Sequence, residues 1–489
     1  MGKPFYDRIM VSFGWFDFLR RNDAPRADLV QGLVLSGGGS RVSFQLGALA
    51  YLYGHEVIAP TRIVGTSGGS IIAITLAQFA EASEQARALA ELDEVWMAMT
   101  SPDEMFAEQA WFTQLRQEAA TLMPLLGAAE PTPESARRSE EHEQERRDAE
   151  ERIRDALDND PSRDVSWSLA RSWQLMGALP AIGRSGPKLA ASVRGARLAQ
   201  SMFRPGPIVT RLLYEGSFRE ERVRTSGVQL RIAMVGLDSG ELRFMREDGR
   251  LVDRDNVPLP GDDASYDLPL GIWASCAIPG VFKPVAVGDE VYVDGGVREN
   301  VPVEMAVTHL GVTHPYVIAA APPGVTPGRY ADKDIIGTVL RATAITSDEA
   351  MVDEVAWARA AGAIVINPEV DVHDAMTVEP TLMRINHDYG YLRAAEEVLG
   401  ADADARRTVR EMVTVRLALH HLLQGEDSAE PRAVAERMGA LVGAEPAPDA
   451  AVRAAGENER RFRDRLAALV AACDPALLPP GANAWADEG

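Results

Sequence analysis

Along the first hundred residues, short apolar runs alternate with longer runs of helical period, and glycine turns separate them. "GLVLS" has the length and continuous apolar character of a buried strand, and a glycine turn and the helix "VSFQLGALAYLYG" follow it. The strand "TRIVG", a second glycine turn and the helix "SIIAITLAQFA" repeat the pattern. Such alternation predicts a parallel sheet covered by helices.

The pattern changes between about 101 and 214. "PTPESARRSEEHEQERRDAEERIRDALDNDPSRD" reads as a solvated, mixed-charge helix bounded by prolines, an insertion with no chemistry of its own. Within it, residues 165–214 carry basic residues from Arg171 to Arg211 and no Asp or Glu, interleaved with Trp167, Trp173, Met202 and Phe203. That composition suits a surface approaching anionic lipid headgroups, and equally a covering segment paired with the acidic helix before it. Strand patterns resume at "VQLRIAMVGL", "ELRFM", "VYVDGG", "PYVIAAA" and "AIVINP", and helical patterns run on through "INHDYGYLRAAEEVLG". The expected organisation is an N-terminal segment 1–30, an α/β catalytic domain 31–400 interrupted by the insertion, and a C-terminal helical region 401–489.

Composition narrows the function classes. The chain has 489 residues, 46% of them hydrophobic, enough for a sizeable core. Fifty basic against 72 acidic residues give a net charge of -22, which argues against broad nucleic-acid binding. Two cysteines are too few for a disulfide framework or a thiolate metal site, so a reducing, cytoplasmic setting with peripheral membrane contact is expected, and no cofactor. No apolar stretch is long enough to span a bilayer. The start of the chain, with Phe5, Phe13, Trp15, Phe16 and Phe18, lacks the ordered regions of a signal peptide.

The glycine turns carry the candidate chemistry. Gly65, Ser67 and Gly69 satisfy G-x-S-x-G between a β-branched strand and a helix, the setting of a nucleophile elbow. The flanking glycines permit close backbone approach, and the hydroxyl stands at a helix N-terminus, whose dipole favours negative charge. Upstream, Gly37, Gly38 and Gly39 lie between strand and helix and can turn several amides toward one point, as an oxyanion hole requires. A phosphate-binding loop is disfavoured, because neither the Gly-Lys-Ser/Thr ending nor the last fingerprint glycine is present. A serine also needs a base. None of the eight histidines follows a glycine-marked strand end, whereas Asp294 in "EVYVDGGVREN" does, ahead of Gly295 and Gly296.

Taken in order, "GLVLSGGGSR", "GTSGGS" and "YVDGGVREN" resemble the three motifs of the patatin-like phospholipase family, serine acyl hydrolases with a Ser-Asp dyad. "LRIAMVGLDSGELRF" and "WASCAIPGVFKPV" resemble the strand and loop segments between them. The resemblance implies a three-layer α/β/α patatin-like fold with a mainly parallel central sheet. It implies Ser67 as nucleophile, Asp294 as general base, Gly37 to Gly39 as oxyanion donors and Arg41 as the basic residue that follows them. Val42 departs from the pattern, which usually has glycine there; the expected effect is on how the helix begins, with the donors undisturbed.

The implied reaction is metal-free hydrolysis of carboxylic esters through an acyl-enzyme, with Asp294 in a partly dry pocket that raises its pKa. The resemblance favours phospholipid or lysophospholipid substrates, docked through 165–214. A soluble carboxylesterase or neutral-lipid hydrolase would share every catalytic residue, and a patatin-like effector would keep the dyad while awaiting a protein or ligand activator.

Overall fold

In the computed structural model, nine strands form one open sheet: β1 (Gln31–Leu35), β2 (Arg62–Thr66), β3 (Gln229–Gly236), β4 (Leu242–Arg246), β5 (Leu251–Asp253), β6 (Val285–Val287), β7 (Glu290–Asp294), β8 (His314–Ile318) and β9 (Ile364–Ile366). The structure describes residues 29–113, 201–259, 264–324, 335–424 and 448–487. The aromatic N-terminal segment and the basic stretch up to Gln200 lie outside these. Strand order is β9-β8-β1-β2-β3-β4-β5, parallel from β9 to β3 and antiparallel from β3 to β5. The architecture is the three-layer α/β/α sandwich expected, with its parallel strands at the centre.

Helices α1 (Val42–Tyr51), α2 (Gly68–Leu76), α3 (Ala82–Met97), α4 (Leu268–Ser275), α5 (Ile335–Ala360), α6 (Pro380–Leu399), α7 (Ala403–Leu423) and α8 (Pro448–Ala472) complete the principal elements. The central strands are apolar throughout because both faces are covered. Val34, Val64, Ala233, Val317 and Val365 join Met351, Val355 and Ala358 of α5 in one core. Alternate residues Leu33, Leu35, Ile63, Ile232 and Ile318, all fully buried, turn to the other face, where α2 and α6 lie against the strands. Helices α1 and α6 cross at two glycines. A Cβ on Gly47 would fall 1.8 Å from the His387 carbonyl oxygen, and one on Gly390 would fall 1.9 Å from that of Phe44.

The chain divides into two compact units, one of Met1–Ala107 with Phe203–Gly489 and one of Glu108–Met202. The C-terminal helices therefore belong to the same unit as the sheet. Arg416 of α7 ties them in, bonding Asp388 of α6 at 2.7 Å and stacking over the buried Trp485 at 4.1 Å. In the described part of the second unit, the Trp111 indole N–H donates to the Ser201 carbonyl at 3.1 Å.

Three elements depart from the sequence pattern. Helix α2 begins at Gly68, directly after Ser67 and two residues before the expected start at Ser70. "WAS" lies in α4, where a strand or loop was expected. The sheet also ends in antiparallel strands, because the Gly236 to Gly240 turn is too short for the crossover that a parallel neighbour needs.

Candidate active site

Strand β3 brings the two candidate groups together. Its N-terminal part pairs with β2, ending at Thr66 opposite Ala233, and its C-terminal part pairs with β7, which ends at Asp294 opposite Met234. Because β4 occupies the other edge of β3, β2 and β7 meet on one edge, running head-on. Ser67, one residue past the end of β2, thereby meets Asp294, and its hydroxyl favours the charged form of the carboxylate.

Ser67 adopts φ 51 and ψ -130, a strained backbone for a residue with a Cβ. The surroundings hold it there. Its N–H donates to Ser275 Oγ at 2.8 Å, and its carbonyl accepts from Ser70 N–H at 2.9 Å. Gly65 and Gly69 allow the turn to close. A Cβ on Gly65 would meet the Ala73 Cβ at 2.8 Å, and one on Gly69 would meet the Ser36 carbonyl oxygen at 2.5 Å.

Asp294 is buried, and its N–H donates to the Ala277 carbonyl at 3.0 Å. Burial pushes the carboxyl up to about 6, although the nearby Ser67 hydroxyl and a hydrogen bond from the Gly296 amide at 2.8 Å favour its charged form. A carboxyl in this range is ionised at neutral pH yet basic enough to take a proton in a transition state. The segment from Ser275 to Ala277 therefore braces both halves of the pair. Gly295 packs against β3, where a Cβ would fall 2.7 Å from the Ala233 carbonyl oxygen.

The three-glycine loop lies beside Ser67. A Cβ on Gly37 would approach the Ser67 Cβ at 2.8 Å, yet the Gly37 amide is already committed, donating to Asn300 Oδ1 at 2.9 Å. The amides of Gly38 and Gly39 have no acceptor among the described residues. Gly39 has φ +56, a conformation that glycine permits without strain. Gly68 begins α2 and lies against Gly39, so its amide joins theirs as a candidate donor. Arg41 points elsewhere: Nε donates to the His373 carbonyl and Nη2 to Asp371 Oδ2, each at 2.6 Å. It fastens the loop from behind, tying it to the segment that holds Asp371 and His373.

Ser67, Gly39 and Gly68 open on a cavity of about 330 Å³, walled by Trp96, Met105, Phe106, Val209, Trp273 and Phe282. Among the described residues no histidine lines it. His387 is held protonated at about 10 despite its burial, chiefly by Asp93, which makes it unsuited to act as a base. Cys276 lines the cavity with its thiol pushed far up by burial and by Asp294, so it stays protonated.

The patatin-like phospholipase family model matches residues 33–307, more than half the chain. The chain belongs to this family. Its members are lipid acyl hydrolases, and the matched span includes Ser67, Asp294 and the three-glycine loop. Among solved structures the chain is similar to VipD from Legionella pneumophila, at 14% identity over 94% of this chain and 91% of that one, with a TM-score of 0.33. No curated protein matches the chain.

Where the patatin pattern usually has glycine, Val42 is fully buried and starts α1, and its Cγ2 would lie 2.6 Å from a Cβ on Gly68. The departure thus restricts α2 to a glycine at its first residue. Sequence reading passed over Ser275 and Asn300 as contributors. Both fall within quoted patatin-like segments, but a serine at a helix end and an asparagine in a loop carry no signal until their distant partners are known.

Proposed function

We propose that the protein hydrolyses carboxylic esters of lipids through Ser67 and Asp294. The observation that carries this reading is the meeting, where β2 and β7 end on the same edge of β3, of a strained, buried serine at the wall of an apolar cavity and a buried carboxyl raised to about 6. Asp294 takes the Ser67 proton as Oγ attacks the ester carbonyl, and the developing oxyanion accepts hydrogen bonds from the amides of Gly38, Gly39 and Gly68. Collapse of the tetrahedral intermediate breaks the ester C–O bond, and the leaving alcohol receives the proton held by Asp294. A water molecule then gives its proton to Asp294 and attacks the acyl-enzyme, which releases a fatty acid and restores Ser67.

The aromatic and aliphatic walls suit an acyl chain, which favours phospholipid or lysophospholipid substrates over small polar esters. Exposed Tyr214, which accepts a hydrogen bond from the Trp273 indole at 3.2 Å, supplies an amphipathic pair of the kind found where proteins meet lipid headgroups. Among the described residues no helix is long and apolar enough to cross a membrane, so membrane contact in this reading is peripheral.

A fluorophosphonate probe tests the assignment, because it reacts only with an activated serine beside a working oxyanion hole. Intact-mass spectrometry should find one adduct on the wild-type chain, mapped to Ser67, and none on Ser67→Ala. Labelling that survives in Ser67→Ala would remove Ser67 from the mechanism.

A further inference from the structure

Among the described residues, Lys283 is the only charged side chain lining the cavity that opens on Ser67. It is exposed, and no hydrogen bond or ion pair engages it among the described residues. Its place is fixed by its neighbours. Phe282 stacks on Phe106 with ring centroids 5.7 Å apart, and the Phe203 N–H donates to the Val281 carbonyl at 2.9 Å. Arg204, exposed and likewise without a partner among the described residues, follows Phe203 on that neighbouring segment. Trp96 also lines the cavity, and its buried indole N–H has no acceptor there. A free cation and an unsatisfied donor on an otherwise apolar wall are unusual in a protein with a net charge of -22.

We propose that Lys283, supported by Arg204, is a specificity-determining residue that binds the phosphate of the substrate headgroup, so that the enzyme selects phosphate-bearing acyl esters over uncharged glycerides. This rests on the serine-hydrolase reading of the same cavity. In a glycerophospholipid only the glycerol backbone separates the ester carbonyl from the phosphate. A carbonyl at Ser67 therefore leaves the phosphate within reach of the cavity wall, and the acyl chain takes the aromatic surface. An ammonium is a compact point charge that attracts phosphate without demanding a fixed geometry. The headgroup substituent beyond the phosphate stays in solvent.

The test compares a lysophospholipid with a monoacylglycerol of the same acyl chain, both below their critical micelle concentrations, on wild type, Lys283→Gln and Lys283→Arg. The ratio of kcat/KM for the phosphate ester to that for the neutral ester should fall about three- to fivefold in Lys283→Gln, as for an exposed ion pair. Lys283→Arg should restore it, and added salt should shrink the wild-type preference. An unchanged ratio in Lys283→Gln, or an equal fall on both esters, overturns the proposal. If wild type cleaves neither ester, the hydrolase reading fails, and calorimetry on Ser67→Ala decides the subsite separately. Octyl phosphate should then bind more tightly than octanol or inorganic phosphate, with the advantage lost on Lys283→Gln. Equal binding of octyl phosphate and octanol, or inorganic phosphate binding as tightly as octyl phosphate, overturns the headgroup site.

Discussion

Thr66 and Asp294 are registered against consecutive residues of one strand, Ala233 and Met234. Two strands approaching head-on along one edge of β3 therefore deliver Ser67 and its carboxylate partner to the same point, although they are far apart in sequence. The geometry is set by backbone ladders, which tolerate side-chain change better than a loop contact does. In the proposed mechanism the orientation that a triad's third residue provides would come from the sheet and from the Gly296 amide, which donates to Asp294 Oδ1.

If Asp294 is the base, it links activity and stability to pH in opposite senses. With the folded carboxyl at about 6, kcat/KM should rise through about pH 6 and level off above it, because the base must be ionised. The unfolded carboxyl titrates at 3.8, so between these values the folded chain holds a proton that the unfolded chain has lost. Stability from this group is complete below about pH 4 and is lost as pH rises through about 6, by up to about 3 kcal/mol. Asp294→Asn should lose several orders of magnitude in turnover and yet be the more stable protein at pH 8, with the advantage disappearing toward pH 4. Urea unfolding at the two pH values, set beside ester hydrolysis, checks both halves; substantial turnover by the variant would remove the general base from the mechanism.

Asn300 offers a second pH measurement. Its Oδ1 accepts from the Gly37 amide and lies 3.1 Å from where a Cβ of Gly296 would be, close to the carboxylate of Asp294. Asn300→Asp keeps an acceptor for Gly37 and adds a negative charge, which raises a neighbouring carboxyl's pKa. The midpoint of the pH profile should move upward by roughly one pH unit. Asn300→Leu adds no charge and leaves Gly37 without its acceptor, so it should cost about 1–3 kcal/mol in stability with the midpoint in place. Identical pH profiles for wild type and Asn300→Asp would show that the two side chains are electrostatically independent.

What the sequence made legible follows from which signals are local. Strands β1, β2 and β8 announce themselves because burial on both faces makes them continuously apolar, and the Gly65–Ser67–Gly69 spacing records a steric demand at the turn itself. The antiparallel β4 and β5 pair by hairpin turns that carry no periodicity of their own. The commitment of the Gly37 amide to Asn300, the support of Ser67 N–H by Ser275, and the turning of Arg41 toward Asp371 all depend on residues hundreds of positions away. No spacing rule reaches that far, so a glycine run that reads as three equivalent amides folds into one structural amide and two open ones.

Gly69→Ala isolates the strain at the elbow. The added methyl would lie 2.5 Å from the Ser36 carbonyl oxygen and 2.8 Å from that of Leu35, both backbone atoms in the central sheet that cannot turn aside. Overpacking of this kind costs about 1–3 kcal/mol. Because α2 must shift away from β1 to make room, Ser67 leaves its φ 51 conformation, and fluorophosphonate labelling should slow by more than the fall in melting temperature alone implies. Labelling at the wild-type rate in a destabilised variant would mean that the elbow and the helix behind it move independently.

Arg41 makes the last distinction, between a residue that touches the reaction and one that holds a loop. Its guanidinium spans the His373 carbonyl and Asp371, while Ser40 N–H donates to the Ala375 carbonyl at 2.9 Å and Gly39 packs on that same carbonyl. The segment from 371 to 375 is therefore the back wall of the glycine loop. A lysine carries one ammonium and cannot occupy both positions with the geometry of a planar fork. Arg41→Lys should fold, lose about 1–2 kcal/mol and show kcat lowered roughly tenfold with KM little changed, since misplaced amides weaken the transition state more than the bound substrate. Asp371→Asn should reproduce part of the same kcat loss although it lies behind the loop, and this shared effect separates a positioning role from direct contact. Full activity in Asp371→Asn together with loss in Arg41→Lys would instead place the guanidinium in contact with the substrate.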